Sequence, residues 1–316
     1  MSESELPSYR FFLMFRSAKN IINSLLKEIS MLTTLYPMVQ FKKDTWEIDE
    51  FDVASMFLLI GTEKAMLIDT GMGIGDLKTA VRRITDKPLI VVISHGHLDH
   101  NGNARQFDTV YINPNDKNAP MPGDLTRRRD DTRCIALRTR GHYPYSLETD
   151  LREPAEPLPV IKDMTDGMVF DLGGGRKVTA YDCFGHSKGE MIFLDSMTRT
   201  LFAGDALNYN LGLGAISIET AVKYLERMRD MGDQYDDIYN GHHDFRPFGA
   251  PLGKDCLPNA IDLCHQLLNN TYSPVTVPSF WGPCSGRPDR TMVLKGRNYL
   301  GWRKIHESDP DAEMIH

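Results

Sequence analysis

The sequence predicts an α/β fold. Three features carry that reading: short apolar runs of strand length bounded by turn residues, amphipathic helical periods among them, and a 316-residue chain that is 41% hydrophobic. Such a chain has core material for one large α/β domain or two small ones.

The elements follow in order. Ala18, Ile21, Ile22, Leu25, Leu26, Ile29 and Leu32 recur at three-to-four spacing, which predicts an amphipathic helix from about Ser17 to Thr33. Residues 1–36 are therefore read as an N-terminal helical segment, and 37–316 as the main domain. Residues 53–60, 65–69 and 89–94 are short apolar runs that read as buried strands, with a helix near Gly75 to Ile84 between the last two. A second set of strands is expected at Met168 to Leu172, Lys177 to Cys183, Glu190 to Asp195 and Thr200 to Ala203. Ser217 is a plausible N-cap for a helix reaching Met231, with Ala221, Val222, Leu225 and Met228 turned inward. Asp237 to Tyr239 supply one more strand. The interval from about Asn113 to Thr165 is rich in Pro, Arg and Asp without sustained period, and it reads as a long insertion or loop layer.

Composition narrows the function. A formal charge of −7 argues against a surface built to hold nucleic acid or an anionic membrane. Cys134, Cys183, Cys256, Cys264 and Cys284 form no CxxC pair and are odd in number, which fits reduced thiols. The apolar cluster Phe11 to Phe15 is too short for a signal peptide, and no run reaches membrane-spanning length. The expectation is a cytoplasmic protein with a small-molecule substrate, no membrane partner, nucleic acid disfavoured, and homo-oligomerisation left open.

The densest chemistry lies in Ile93-Ser-His-Gly-His-Leu-Asp-His, which places His95, His97, Asp99 and His100 within six positions directly after an apolar strand. Imidazole and carboxylate are the donors that zinc and similar metals take, and a turn at a strand end aims several at one centre. A chance HxHxDH match is on the order of one in a thousand for such a composition. Further strand ends carry Gly185-His186, Gly204-Asp205 and Gly241-His242, each glycine permitting a sharp turn.

Asp69, the HGHLDH segment, His186, Asp205 and His242 fall in the order and rough spacing of five known motifs. Over about Val53 to His243 the chain resembles the metallo-β-lactamase superfamily, its glyoxalase-like and lactonase-like members in particular. The resemblance implies an αββα sandwich, two mixed β-sheets with helices on the outer faces and a metal site along one edge. It implies one metal on His95, His97 and His186, a second on Asp99, His100 and His242, and Asp205 bridging them. Asp69 would support the site from behind the ligands, with a strand-end turn cap as its alternative. In GHHD the family pattern selects the histidine after glycine, His242, with His243 the alternative.

Two divalent ions, zinc first with manganese or iron as alternatives, would activate water without a serine or cysteine nucleophile. The candidate catalytic residues are Asp205, which could carry a proton to the leaving group, Asp99, and Tyr209 as an oxyanion donor, with ordinary packing the alternative for Tyr209. Phe280, Trp281, Arg287 and Arg290 are candidates for substrate contact or for an edge strand, as are His142, Tyr143 and Tyr145 in the insertion. The expected reaction is hydrolysis of a carboxylic ester, thioester or lactone. Alternatives are a phosphodiesterase acting on a small phosphodiester or nucleic acid, and a non-catalytic or redox di-metal protein. His97 speaks against the redox form, whose relatives carry glutamate at that position.

Overall fold

The computed structural model describes residues 32–139, 143–243, 245–278 and 289–302. The expected N-terminal helix, apart from its last residues, lies outside them, as do His142, Phe280, Trp281, Cys284 and Arg287.

Seven strands form the first sheet in sequence order: β1 (Met38–Lys42), β2 (Thr45–Asp49), β3 (Ser55–Ile60), β4 (Ala65–Ile68), β5 (Leu89–Val92), β6 (Thr109–Ile112) and β7 (Val160–Asp163). β1 to β4 pair antiparallel, and β4 to β7 pair parallel. The second sheet holds β8 (Val169–Asp171), β9 (Lys177–Asp182), β10 (Met191–Asp195), β11 (Thr200–Phe202) and β13 (Asp237–Tyr239), in the order β13-β11-β10-β9-β8. A smaller sheet joins β12 (Asn210–Leu213), β16 (Asn298–Trp302), β15 (Arg290–Lys295) and β14 (Val275–Val277).

The two-residue period of a strand sends alternate side chains to opposite faces, and both main sheets use it. Phe57 and Leu59 of β3 meet Met191 and Phe193 of β10 in the core between the sheets, together with Met66, Ile68, Phe202 and Tyr239. Met56 and Leu58 face the other way, toward Leu77, Ala80 and Val81 of helix α1 (Leu77–Arg82) and Ile135 of α3 (Leu125–Thr139). On the far face of the second sheet, Ile192, Leu194 and Leu201 pack on α4 (Ile218–Asp230) and α5 (Cys256–Leu268). The layers are helix, sheet, sheet, helix, as the resemblance implied. Burying each large apolar side chain contributes roughly 1.5–3 kcal/mol before entropy is counted.

Helix α4 forms as its sequence specifies. Ser217 accepts the Thr220 N–H as N-cap, and Ala221, Val222, Leu225 and Met228 are buried. The expected loop layer at 113–165 is corrected: it contains α3 and β7. Helix α3 turns Arg128, Asp131 and Thr132 inward beside Cys134 and Ile135, so no apolar stripe marks it, and β7 is exposed throughout. Cys183, Cys256 and Cys264 are buried free thiols, whereas Cys134 is disulfide-bonded, contrary to a wholly reduced set; scattered cysteines carry no pairing signal in sequence. No helix among the described residues is long and apolar enough to cross a membrane.

Candidate metal centre

β4 and β5 are parallel, and so are β11 and β13. Their C-terminal ends therefore deliver Asp69, Ser94-His95, Gly204-Asp205 and Gly241-His242 to one edge of the sandwich. β9 lies antiparallel to β10, as β11 does, so His186 arrives at the same edge just beyond β9. Two cross-sheet hydrogen bonds close it: Met191 N–H to the Ser94 carbonyl at 2.9 Å and Ser55 N–H to the Gly241 carbonyl at 2.7 Å. The short helix α2 (Leu98–Asn101) carries Asp99 and His100.

Two glycines are required here for different reasons. Gly204 has φ of 49°, and a Cβ there would lie 2.4 Å from Glu190 Oε1. Gly241 lies outside the left-handed region, but a Cβ on it would lie 2.6 Å from His100 Cε1.

The side chains gather in overlapping groups whose donor atoms lie within 4.8 Å of one another: His95, His97 and His186 at one end, Asp99, His100 and His242 at the other, and His95, His100 and Asp205 between them. His97 Nδ1 lies 2.9 Å from His95 Nε2 and 3.0 Å from His186 Nε2. A single ring nitrogen can share only one proton, so three converging nitrogens leave lone pairs facing one another, an arrangement a cation relieves. Asp205 Oδ2 is 3.5 Å from His186 Nε2 and 3.2 Å from His242 Nε2, reaching both groups. His100 Nε2 and Asp205 Oδ1 are both buried without a hydrogen-bond partner and stand 3.8 Å apart. That is too far for a hydrogen bond and near the roughly 3.4 Å edge of a tetrahedron with 2.1 Å donor distances. The donor set fits divalent metal.

Neighbouring groups fix which ring nitrogen is presented. His242 Nδ1 meets the Val53 carbonyl at 2.8 Å, His186 Nδ1 the Gly212 carbonyl at 3.0 Å, and His100 Nδ1 the Asp69 carboxylate at 2.9 Å, so each turns Nε2 inward. Asp69 also accepts the Ser94 N–H at 2.6 Å and hydroxyl at 2.8 Å. Its φ of 65° is held by these bonds.

Burial, reinforced by the neighbouring rings of His100, His97 and His186, drives His95 well below the usual histidine range. Burial opposes a charged His100, but Asp99, Asp205 and Asp69 outweigh it and raise it to about 9 among the protein groups alone. Burial likewise opposes a charged Asp205, yet His242, His100 and His186 hold it well below the carboxylate range.

Glu190 is a residue of this site that sequence reasoning missed. It is fully buried, its Oε1 accepts the Asp205 N–H at 3.0 Å, and its Oε2 lies 3.4 Å from His95 Nδ1. Burial and then the charge of Asp205 push its carboxyl well above the usual range. The only signal in the sequence is a carboxylate flush against the apolar run Met191 to Leu194.

The structure separates the two histidines of GHHD. His242 faces Asp99 and Asp205, whereas His243 Nε2 lies 3.0 Å from Asp49 Oδ1 and 3.4 Å from Asp52 Oδ1. Tyr209 is not brought to the His/Asp groups in the way an oxyanion donor requires. Its ring is buried in the core beside α4 and α5, its hydroxyl donates to Asp255 at 2.9 Å, and it accepts from Gly253 N–H and Arg297. A phenol so committed has no proton to offer a substrate. Tyr143 and Tyr145 stack on each other at 5.7 Å and pack against Phe51, and Arg290 opens β15, the strand alternative.

Residues 49–242 match the family model of the metallo-beta-lactamase superfamily. The chain is 26% identical over 237 residues to proteins named acyl-coenzyme A thioesterase MBLAC2 from Bos taurus and Homo sapiens, covering 68% of this chain and 82% of each relative. Among solved structures it resembles a metallo-beta-lactamase from Pontibacter korlensis, with TM-score 0.51 and 17% identity over 73% of this chain and 99% of that one. It also resembles the sec-alkylsulfatase Pisa1 from Pseudomonas sp., with TM-score 0.54 and 17% identity over 74% of this chain and 42% of that one. At such identities the structural likeness speaks for the fold alone. The family match spans more than half of the chain and runs through every strand end described above, and the protein is therefore a hydrolase belonging to the metallo-beta-lactamase superfamily.

Proposed function

We propose that the protein is a two-metal hydrolase that cleaves a carboxylic thioester, with acyl-coenzyme A as the first substrate class. The observation that carries the two-metal part is Asp205, one carboxylate within 3.5 Å of His186 Nε2 and 3.2 Å of His242 Nε2, at the seam between two donor groups. In this reading His95, His97 and His186 would hold one ion and Asp99, His100 and His242 the other, with Asp205 available to both. Five imidazoles with two carboxylates suit zinc first, with manganese or iron as alternatives. The thioesterase names of the relatives support the choice of bond.

When bound, the ions supply hydroxide at neutral pH and polarise the carbonyl under attack. The chain's own work is to orient and to move a proton. Val53, Gly212 and Asp69 keep the Nε2 atoms of His242, His186 and His100 aimed inward throughout turnover. Asp205, held by the Glu190 contact to its backbone, accepts the proton released at the attacking oxygen and passes it to the departing sulfur, with Asp99 beside it as the second carboxylate. The acyl carbon–sulfur bond breaks, and a carboxylic acid and a free thiol result. Tyr209 has no part in this scheme.

A panel of acyl-coenzyme A thioesters, aryl esters, lactones and aryl phosphodiesters, assayed at matched zinc content, tests the reading. The expected result is thiol release from the acyl-coenzyme A substrates. Activity confined to phosphodiesters or to lactones would overturn the thioester assignment.

A further inference from the structure

A third loop, which contributes no donor atom, holds the two loops that present the three-histidine group. After β6 the chain runs through Asn113, Asn115 and Asp116. Asn113 Nδ2 donates to Asp182 Oδ1 at 3.2 Å, and Asn115 Nδ2 donates to the Lys188 carbonyl at 3.2 Å, so this loop is tied to the segment around His186. Asp116 Oδ2 then accepts two hydrogen bonds: from Gly96 N–H at 2.9 Å and from the Ser187 hydroxyl at 2.7 Å. Gly96 separates His95 from His97, and Ser187 follows His186. One oxygen atom thus joins the loops that carry all three histidines.

The joint is tight on every side. The Gly96 carbonyl accepts from Asn101 Nδ2 at 3.0 Å, so both polar groups of that residue are fixed. A Cβ on Gly96 would lie 2.6 Å from Ala119 Cβ, and one on Gly189 would lie 2.8 Å from Asp116 Cγ. His97 Nδ1 faces two ring nitrogens, of His95 at 2.9 Å and of His186 at 3.0 Å, and one proton cannot satisfy both contacts, so a clamp on the backbones helps to keep them converged.

We infer that Asp116 is a positioning residue for the His95, His97 and His186 group, setting the distance between its two loops and thereby its affinity for a divalent ion. This rests on the metal reading above. The other group, Asp99, His100 and His242, has its own supports in Asp69 and Val53, so loss of Asp116 acts on one ion of the pair.

The test is zinc binding, read by competition with a chromophoric chelator on wild type, Asp116→Ala, Asp116→Asn, Ser187→Ala and the Asp116→Ala/Ser187→Ala double variant, with thermal melts of each in chelator. Asp116→Ala is expected to weaken one of two zinc equivalents by about 10- to 100-fold. Asp116→Asn should recover most of that loss, because an amide oxygen accepts both bonds. Ser187→Ala should cost less, and the double variant should match Asp116→Ala alone, since both act through one oxygen. Should Asp116→Ala fail to fold, the Ser187→Ala affinity decides. Wild-type affinity for both equivalents in Asp116→Ala, or in Ser187→Ala where it decides, would overturn the inference while leaving the metal reading intact. A wild-type protein that binds no zinc would overturn both.

Discussion

Asp205 sits under opposed demands: burial disfavours its charge, and three imidazoles restore it. Replacing it with Asn keeps the shape but weakens the span between the two donor groups and removes the proton carrier. Asp205→Asn is therefore expected to fold normally and to lose turnover by about 10²- to 10⁴-fold, read from steady-state rates at fixed zinc. Glu190 acts behind it. Glu190→Ala removes the acceptor of the Asp205 N–H and the carboxylate near His95 Nδ1, which keeps its contact with the Ser94 hydroxyl, and zinc affinity is expected to fall about 10- to 100-fold by chelator competition. Unchanged affinity would make Glu190 a packing residue only. The contrast between these two carboxylates shows what a sequence discloses. Asp205 follows a glycine at a strand end in a recurring motif, whereas Glu190 resembles any charged residue opening a strand, because burial is a property of the assembled sheets. Tyr209 is the converse case: four residues from Asp205 along the chain, it turns into the core to meet Asp255.

The elements that were legible in sequence are those whose apolar residues follow one period. β3, β4, β5 and β9 to β11 were found within one or two residues, as was α4 with its Ser217 cap. Several that escaped bury polar groups or expose apolar ones, although α5 went unread despite an apolar face at helical spacing. α3 hides Arg128 and Asp131, β7 is an exposed edge, β1 is short and only partly covered, and β2 buries the polar Thr45, Glu47 and Asp49. Strand ends deserve their own test, since they carry the site. Gly204→Ala forces a side chain into a left-handed position against Glu190, and a loss of about 1–3 kcal/mol is expected in chemical denaturation. The loop after β4 offers a pH test. Glu50 accepts the Met72, Gly73 and Ile74 N–H groups, yet burial, against those bonds, raises its carboxyl to about 8. The folded state then holds a proton that the unfolded chain releases near 4.5, so the Glu50 contribution to stability declines as pH rises from about 4.5 to about 8. Relative to wild type, Glu50→Gln should gain in melting temperature across that window. A constant difference would show that Glu50 is ionised throughout.

At the scale of the whole molecule, the candidate centre is where the two sheets meet. His95, His97, Asp99 and His100 come from the first sheet's side, and His186, Asp205 and His242 from the second. Ions bound there tie the halves together, so chelation should lower the melting temperature. With free metal at about 100 times its dissociation constant, binding contributes about 2.7 kcal/mol per ion. Turnover is expected to need both donor groups filled, which is tested by a zinc titration of chelator-treated protein, with bound metal counted by elemental analysis while thioester hydrolysis is followed. The expected result is activity that rises with zinc and reaches its plateau at about two ions per chain. Full activity at one ion per chain, or with none, would contradict it.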